Sequence, residues 1–335
     1  MVLCHSYGLK QGRVILCLVE YAFDIRREIS QMKRNIHVRL LHNPKAGDQD
    51  YVKEELIKRI ESQGFTCQYA SLKEKGWKRF ASETVLVVIA GGDGTVREVL
   101  KKLLTRSILD KRLTVALIPS GTANNFAKTL GISSDLDTFE RIIQQWEPKQ
   151  VDVGLIGKLG KARFFIEGLG FGLIPMLMEK MKTVDFGQAH TAEDELALAL
   201  KKLLEIVATC PATRAKVTID GQVYEDDYLL VEVLNIKSIG PNLVLAPHAD
   251  PTDGCFEVVL LTKTNREALA TYLHHLQQQK PPAVSVVPGQ IVTAMHEVII
   301  ACDNRTIHVD DELVTLKKSK KIEITIRAGV IDILS

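Results

Sequence analysis

Thr84-Val85-Leu86-Val87-Val88-Ile89-Ala90-Gly91-Gly92-Asp93-Gly94-Thr95-Val96 is the stretch on which the fold turns. Residues 84–90 form an unbroken apolar run, rich in β-branched side chains and too short for a globular helix. That combination predicts a strand covered on both faces, as in a parallel sheet. Three glycines follow, and a helical pattern then runs from Val96 to Leu104. The same order recurs on either side. Upstream, a short strand at 37–42 leads through Asn43-Pro44-Lys45-Ala46-Gly47 into a helical pattern at 51–63, with Val52, Leu56 and Ile60 on one face. Downstream, a buried strand at 113–119 leads through Ser120-Gly121-Thr122-Ala123-Asn124-Asn125 into a helix at 123–130. Three strand–loop–helix units in succession predict an α/β fold built on an open parallel sheet.

The pattern changes after about residue 146. Short β-rich runs dominate, at 150–156, 163–167, 215–219, 228–236, 256–262, 296–302 and 322–326, with a hairpin turn at Asp220-Gly221. Helical patterns interrupt at 192–208 and 266–278. This half reads as an antiparallel β-sandwich with additions. The expected division is a nucleotide-binding α/β domain over 36–145 and a β-sandwich substrate domain over 146–327, with a last strand near 328–335 returning to the first domain. Residues 1–35 form an N-terminal extension. Met32-Lys33-Arg34-Asn35 runs straight into an apolar strand like a natural chain start, so this extension is expected to be dispensable; a genuine extra strand or helix is the alternative.

Composition excludes several function classes. The 335 residues are 46% hydrophobic and 25% charged, with a net charge of +2, so a packed core is available and a dedicated nucleic-acid binder is disfavoured. Six scattered cysteines show no Cys-x-x-Cys pair or zinc-ligand spacing, which fits a reducing, cytoplasmic setting. The apolar stretch Val14 to Phe23 is interrupted by Glu20 and is too short to span a bilayer.

Ligands of parallel α/β sheets bind at the carboxyl ends of the strands, where all three loops lie. Glycines 91, 92 and 94 let backbone amides approach an anion closely, and the following helix directs its positive end there. Phosphate is the natural ligand. Asp93 among those glycines implies a bridging Mg2+ or activation of a hydroxyl, against the plainer reading of a helix cap. Ser120, Gly121 and Thr122 repeat the small-donor pattern; Asn124 and Asn125 either cap their helix or hold a ribose or phosphate. Asn43 and Lys45 offer an amide and a cation. No P-loop, no dinucleotide-binding Gly-x-Gly-x-x-Gly and no protein-kinase motif set is present.

Taken in order, Asn43 to Gly47, Gly91 to Thr95, Pro119 to Ala127, Gly168-Leu169-Gly170-Phe171-Gly172, Ala246 to Phe256 and Val309-Asp310-Asp311-Glu312 resemble the diacylglycerol kinase catalytic domain family, most of all its bacterial soluble lipid kinases. The resemblance covers residues 36–335. It implies a nucleotide domain like that of NAD kinases and phosphofructokinases joined to a β-sandwich, with ATP between them. It carries nucleotide contact to Asn43, Pro44, Lys45, Ala46, Gly47, Ser71, Gly91, Gly92, Asp93, Gly94, Thr95, Val96 and Thr122, beside Ser120 and Gly121. It makes Glu312 the proton acceptor and Asp253, with backbone groups at Asp250 and Cys255, a Mg2+ site; Asp93, organising the metal or the attacking hydroxyl, is the second catalytic residue expected. Two positions depart from the family: Arg97 stands where Asn is usual, and Asp311 replaces the glycine of Asp-Gly-Glu.

The activity so implied is ATP-dependent phosphorylation of a diacylglycerol-like lipid hydroxyl. A sphingoid base or other acceptor, or a nucleotide-binding regulatory protein without catalysis, are the alternatives. A membrane lipid substrate, transient peripheral membrane contact and a homodimer complete the expected partners. Met176, Leu177, Met178 and Met181 are either the lining of an acyl groove or ordinary core, and Lys317, Lys318, Lys320 and Lys321 either a lipid-facing patch or a solvated strand end.

Overall fold

The computed structural model describes residues 36–46, 51–106, 111–157, 159, 164–184, 191–278, 287–303, 305–316 and 320–335. The N-terminal extension, Gly47 and Lys317–Lys318 lie outside them.

The N-terminal half is a parallel sheet. Its strands are β1 (His37–His42), β2 (Thr66–Ser71), β3 (Thr84–Gly91) and β4 (Thr114–Pro119), ordered β2-β1-β3-β4. Four helices cover it: α1 (Lys53–Ser62), α2 (Asp93–Leu104), α3 (Asn125–Thr129) and α4 (Leu136–Gln145). Alternate residues of β3 feed different cores. Leu86, Val88 and Ala90 pack with Leu56, Ile60, Phe139 and Ile143 from α1 and α4. Val87 and Ile89 pack with Val96, Val99, Leu100 and Phe126 from α2 and α3. Both faces are covered, which is why residues 84–90 show no polar alternation.

The C-terminal half is antiparallel. It comprises β5 (Pro148–Gly157), β6 (Phe164–Phe165), β7 (Gly168–Gly172), β8 (Thr213–Ile219), β9 (Gln222–Leu234), β10 (Ser238–Ile239), β11 (Leu243–Val244), β12 (Phe256–Thr262), β13 (Gln290–Ala294), β14 (Glu297–Cys302), β15 (Thr306–Val309), β16 (Glu312–Thr315) and β17 (Lys320–Leu334). The Asp220-Gly221 turn joins β8 to β9 with left-handed φ at both residues, 46° and 86°, as a two-residue hairpin requires. Phe165, Phe171, Val231, Phe256, Ile300 and Ile324 fill one core of this half. A second lies under α5 (Leu173–Met181), α6 (Ala192–Thr209) and α7 (Arg266–Gln277). Leu177 is buried there, and Met176, Met178 and Met181 are partly buried against that core. Thr191 opens α6 with a reciprocal capping box to Asp194.

One strand stitches the halves. β17 pairs antiparallel with β14 over 320–325 and parallel with β4 over 332–334. Its register against β5 shifts between Arg327 and Ile331, around Gly329 at φ 63°. Among the described residues the two halves therefore share one hydrogen-bonded network of 15 strands, with β10 and β11 paired apart from it. Among the described residues no helix is long and apolar enough to cross a membrane.

Candidate active site

The β3–α2 turn is tighter than its sequence pattern predicts. The helix begins at Asp93, not Val96, with Gly92 as its N-cap. The Thr95 and Val96 amides both donate to the Gly92 carbonyl, at 2.9 and 3.0 Å. The open amides of the first turn are thus those of Asp93 and Gly94. Val96 does not offer its side chain to a ligand: it is core, 4% exposed.

The glycines here serve contact between turns. A Cβ built on Gly92 would lie 2.8 Å from the Gly121 Cα, and one on Gly121 would press on the Gly92 backbone. Ser120 N donates to the Gly91 carbonyl at 3.1 Å. Asn124, in the left-handed region at φ 51°, brackets the Gly121 peptide: it accepts from the Gly121 amide at 2.9 Å and donates to the Gly121 carbonyl at 2.6 Å. Ser120 Oγ is buried without a partner.

Asp93 joins the second and third turns. Its carboxylate accepts from the amides of Asn125 at 2.9 Å and Phe126 at 3.2 Å. The capping reading thus holds across elements: Asp93 caps α3 while belonging to α2. Burial pushes its pKa up, against the pull of those two amides. Asn125 ties α3 to the other half, donating to the Gly240 carbonyl at 3.1 Å and accepting from Ser238 Oγ at 2.7 Å.

The first turn completes a cavity of about 460 Å3, within the usual size range of small-ligand sites. Asn43 and Ala46 line it, with Gly92, Gly94, Thr95, Gly121 and Thr122 opposite. Asn43 Nδ2 donates to Thr95 Oγ1 at 3.1 Å, and Thr122 Oγ1 to Glu195 of α6 at 2.9 Å. Pro44 and Lys45 sit exposed on the turn. Ser71, 8% exposed at the end of β2, accepts from the Lys73 amide at 3.3 Å, and it is Leu72 and Lys73 that reach the cavity. Desolvation, and then the nearby Lys45 charge, pull the Lys73 pKa down.

A second feature faces α2 from the sandwich half. Arg97 makes ion pairs with three consecutive acids: Nε to Asp310 at 3.0 Å, Nη1 to Asp311 at 2.9 Å and Nη2 to Glu312 at 2.8 Å. Lys101 adds a contact to Glu312 at 3.6 Å. Asp310 also accepts from the amides of Ile166, Glu167 and Gly168, at 2.8–3.2 Å. The bond from Arg97, and then the charges of Arg97 and Lys101, hold the Glu312 carboxyl below its ordinary range against desolvation. Left-handed φ in the β15–β16 turn falls on Asp310, at 52°, and not on Asp311. The backbone therefore needs no glycine at 311.

Sequence reasoning missed three groups here. Glu167 is 6% exposed with Oε1 unpartnered; burial, then the charges of Asp93, Asp310 and Asp311, raise its pKa well above the ordinary glutamate value. His308 and Glu232 form a buried pair at 2.7 Å, and His308 Nδ1 meets the Asp310 carbonyl at 2.8 Å. Asp152, 1% exposed, accepts from Gly254 N at 2.7 Å and Gly329 N at 2.8 Å, so it pins the Asp250–Cys255 loop to β17. Nothing in the local pattern marks any of them.

In that loop Asp250 Oδ1 accepts from Thr252 N and Oγ1, and Asp253 Oδ1 from Cys255 N at 2.8 Å. Among the described residues no three His, Cys, Asp or Glu side chains converge as a metal site. Burial, then Asp253, push the Cys255 thiol pKa up.

Comparison with known proteins agrees with this geometry. Residues 37–156 match the family model "Diacylglycerol kinase catalytic domain", and residues 184–315 match "YegS C-terminal NAD kinase beta sandwich-like domain". A diacylglycerol kinase of Bacillus subtilis (strain 168) is 28% identical over 244 residues, 70% of this chain and 75% of its own. A probable lipid kinase YegS-like of Shewanella frigidimarina (strain NCIMB 400) is 25% identical over 247 residues, 72% of this chain and 77% of its own. The crystal structure of a diacylglycerol kinase from Bacillus anthracis str. Sterne superposes with a TM-score of 0.66 at 26% identity, covering 89% of this chain and 96% of that one. The chain belongs to the lipid-kinase family in which a diacylglycerol kinase catalytic domain is followed by a YegS-type C-terminal sandwich.

Proposed function

We propose that the protein transfers the terminal phosphoryl group of ATP to the hydroxyl of a diacylglycerol-like lipid. The observation that carries this reading is the convergence of three strand-end turns on one cavity, with Gly92 and Gly121 in backbone contact beside it. Phosphoryl transfer asks a protein mainly for positioning and charge neutralisation. The Asp93 and Gly94 amides, with Lys45 and Lys73, suit the phosphates. Asp93 keeps the second and third turns in register and so fixes where those donors point. Glu312, opposite α2, takes the proton of the acceptor hydroxyl late in the transfer.

Mg2+ fits the chain only as a hard cation held by oxygen. Asp253, with the carbonyls of Asp250 and Cys255, would hold it; the protonated Cys255 thiol suits it poorly. Bound there, it would supply rigidity to the loop that Asp152 pins. The acceptor's acyl chains resist water by about 0.8 kcal/mol per methylene, so the enzyme meets its substrate by transient contact with the bilayer surface.

The test is to supply purified protein with ATP, Mg2+ and a panel of detergent-solubilised acceptors: diacylglycerol, a sphingoid base and soluble polyols. A phosphorylated diacylglycerol is expected. ATP binding with no product from any acceptor would sink the reading.

A further inference from the structure

Arg97 and Asp311, the two positions where this chain departs from its family's pattern, are in contact. Arg97 lies in the second turn of α2, and Asp311 in the β15–β16 turn. Their side chains meet at 2.9 Å. The other two guanidinium contacts differ in kind. Asp310 is 1% exposed and held by three backbone amides, whereas Asp311 and Glu312 are 50% and 49% exposed. One end of the fork is thus anchored on a fixed carboxylate, and the other holds two carboxylates that face solvent. Arg97 itself is 12% exposed, and the planar guanidinium is suited to such fixed multidentate geometry.

We propose that Arg97 is a positioning residue for the transfer: anchored on Asp310, it seats the Glu312 carboxylate at the seam between the halves, with Asp311 as the third point of the fork. The inference rests on the kinase reading above. An asparagine at 97 is too short to reach three acids, so a family member with Asn there has to hold its glutamate differently. The Asp311 carboxylate also lies against Gly94, where an added Cβ would come within 2.7 Å of Oδ2. The seam thereby touches the turn that lines the cavity. The charged groups around Glu312 are Arg97 and Lys101 from α2 and Asp310 and Asp311 from its own turn. α5, which carries Glu179 and Lys180, also packs on β16.

A structural brace and a positioning residue differ in what they do to proton transfer. With Glu312 as acceptor, the acidic limb of the kcat profile reports its deprotonation. Removing the arginine should move that limb up by about one pH unit and lower kcat more than it raises the KM for ATP. R97K keeps a charge but not the fork, and should fall between wild type and R97N. D311G leaves Arg97 to its other two partners and should leave the limb in place or lower it. Titration of the Glu312 carboxyl by carbon-detected NMR in wild type, R97N and R97K reads the same shift without turnover. The proposal is overturned if the Glu312 titration is unchanged by both Arg97 substitutions, or if kcat falls while the acidic limb stays put. A wild type inert towards every acceptor would refute the kinase reading instead, and the NMR titration would then still decide whether Arg97 controls the Glu312 carboxyl.

Discussion

The β3–α2 turn and the β15–β16 turn each present carboxylates to the same region, and they are built in opposite ways. In the first, Asp93 reaches partners 32 and 33 residues away, on the next strand–helix unit. Its neighbours matter chiefly by lacking side chains, so that two backbones touch. In the second, Asp310 and Glu312 meet a guanidinium 213 and 215 residues distant, and each side chain matters by its charge. The first is a repeating local solution of parallel α/β sheets. The second joins α2 to the sandwich half, the two parts of the fold that β17 links through its pairing with β4.

The largest effect should come from breaking the local turn. In Asp93→Asn one backbone amide keeps an acceptor and the other faces an amide donor, costing about 1–3 kcal/mol of stability. Misaligned phosphate donors should lower turnover by about 10³-fold or more. A variant with near-normal lipid phosphorylation would show that Asp93 does not hold the cradle together. Breaking the distant turn should be milder. Glu312→Gln should reduce kcat by about 10²-fold and abolish the acidic limb, while ATP affinity stays within about twofold. Equal losses in ATP affinity and kcat would place Glu312 in binding rather than proton transfer.

The smallest effect sharpens the boundary between the two regions. Glu167 lies where their acids meet, and its folded pKa is raised. The stability it contributes is complete below the ordinary glutamate value of about 4.3 and is lost as pH rises through the folded value. Glu167→Gln cannot titrate. Its melting temperature should therefore depend less on pH, and exceed wild type by roughly 1–3 °C at pH 8. A variant less stable than wild type at every pH would mean that the ionised carboxylate is needed.

How much was legible follows the same division. Residues 84–90 announced a doubly covered strand because every side chain there is apolar, and β1, β4, α1 and the Asp220-Gly221 hairpin were equally plain. β7 was not readable as a strand, since three of its five residues are glycine and strand propensity is absent. Tertiary packing makes glycine necessary there: a Cβ on Gly170 would strike the Glu232 carboxylate. β2 alternates only weakly at a sheet edge, and its approach to the cavity comes through Leu72 and Lys73, not through Ser71. Asn125, read as either a helix cap or a ribose or phosphate contact, bridges the halves through Gly240 and Ser238. Asp152, Glu167, Glu232 and His308 carry no motif, because a buried polar group is defined by what surrounds it.

By itself the sequence determined the parallel sheet, the three glycine-bearing turns at its carboxyl end and the order of the family's motifs, because strand burial and turn geometry are written in side chains a few residues apart. Only the tertiary structure decided that Asp93 clasps a neighbouring helix, that Arg97 gathers Asp310, Asp311 and Glu312, and that Val96 belongs to the core. Those outcomes depend on which distant surfaces are pressed together, and a charge acquires its partner, its burial and its proton only when they are.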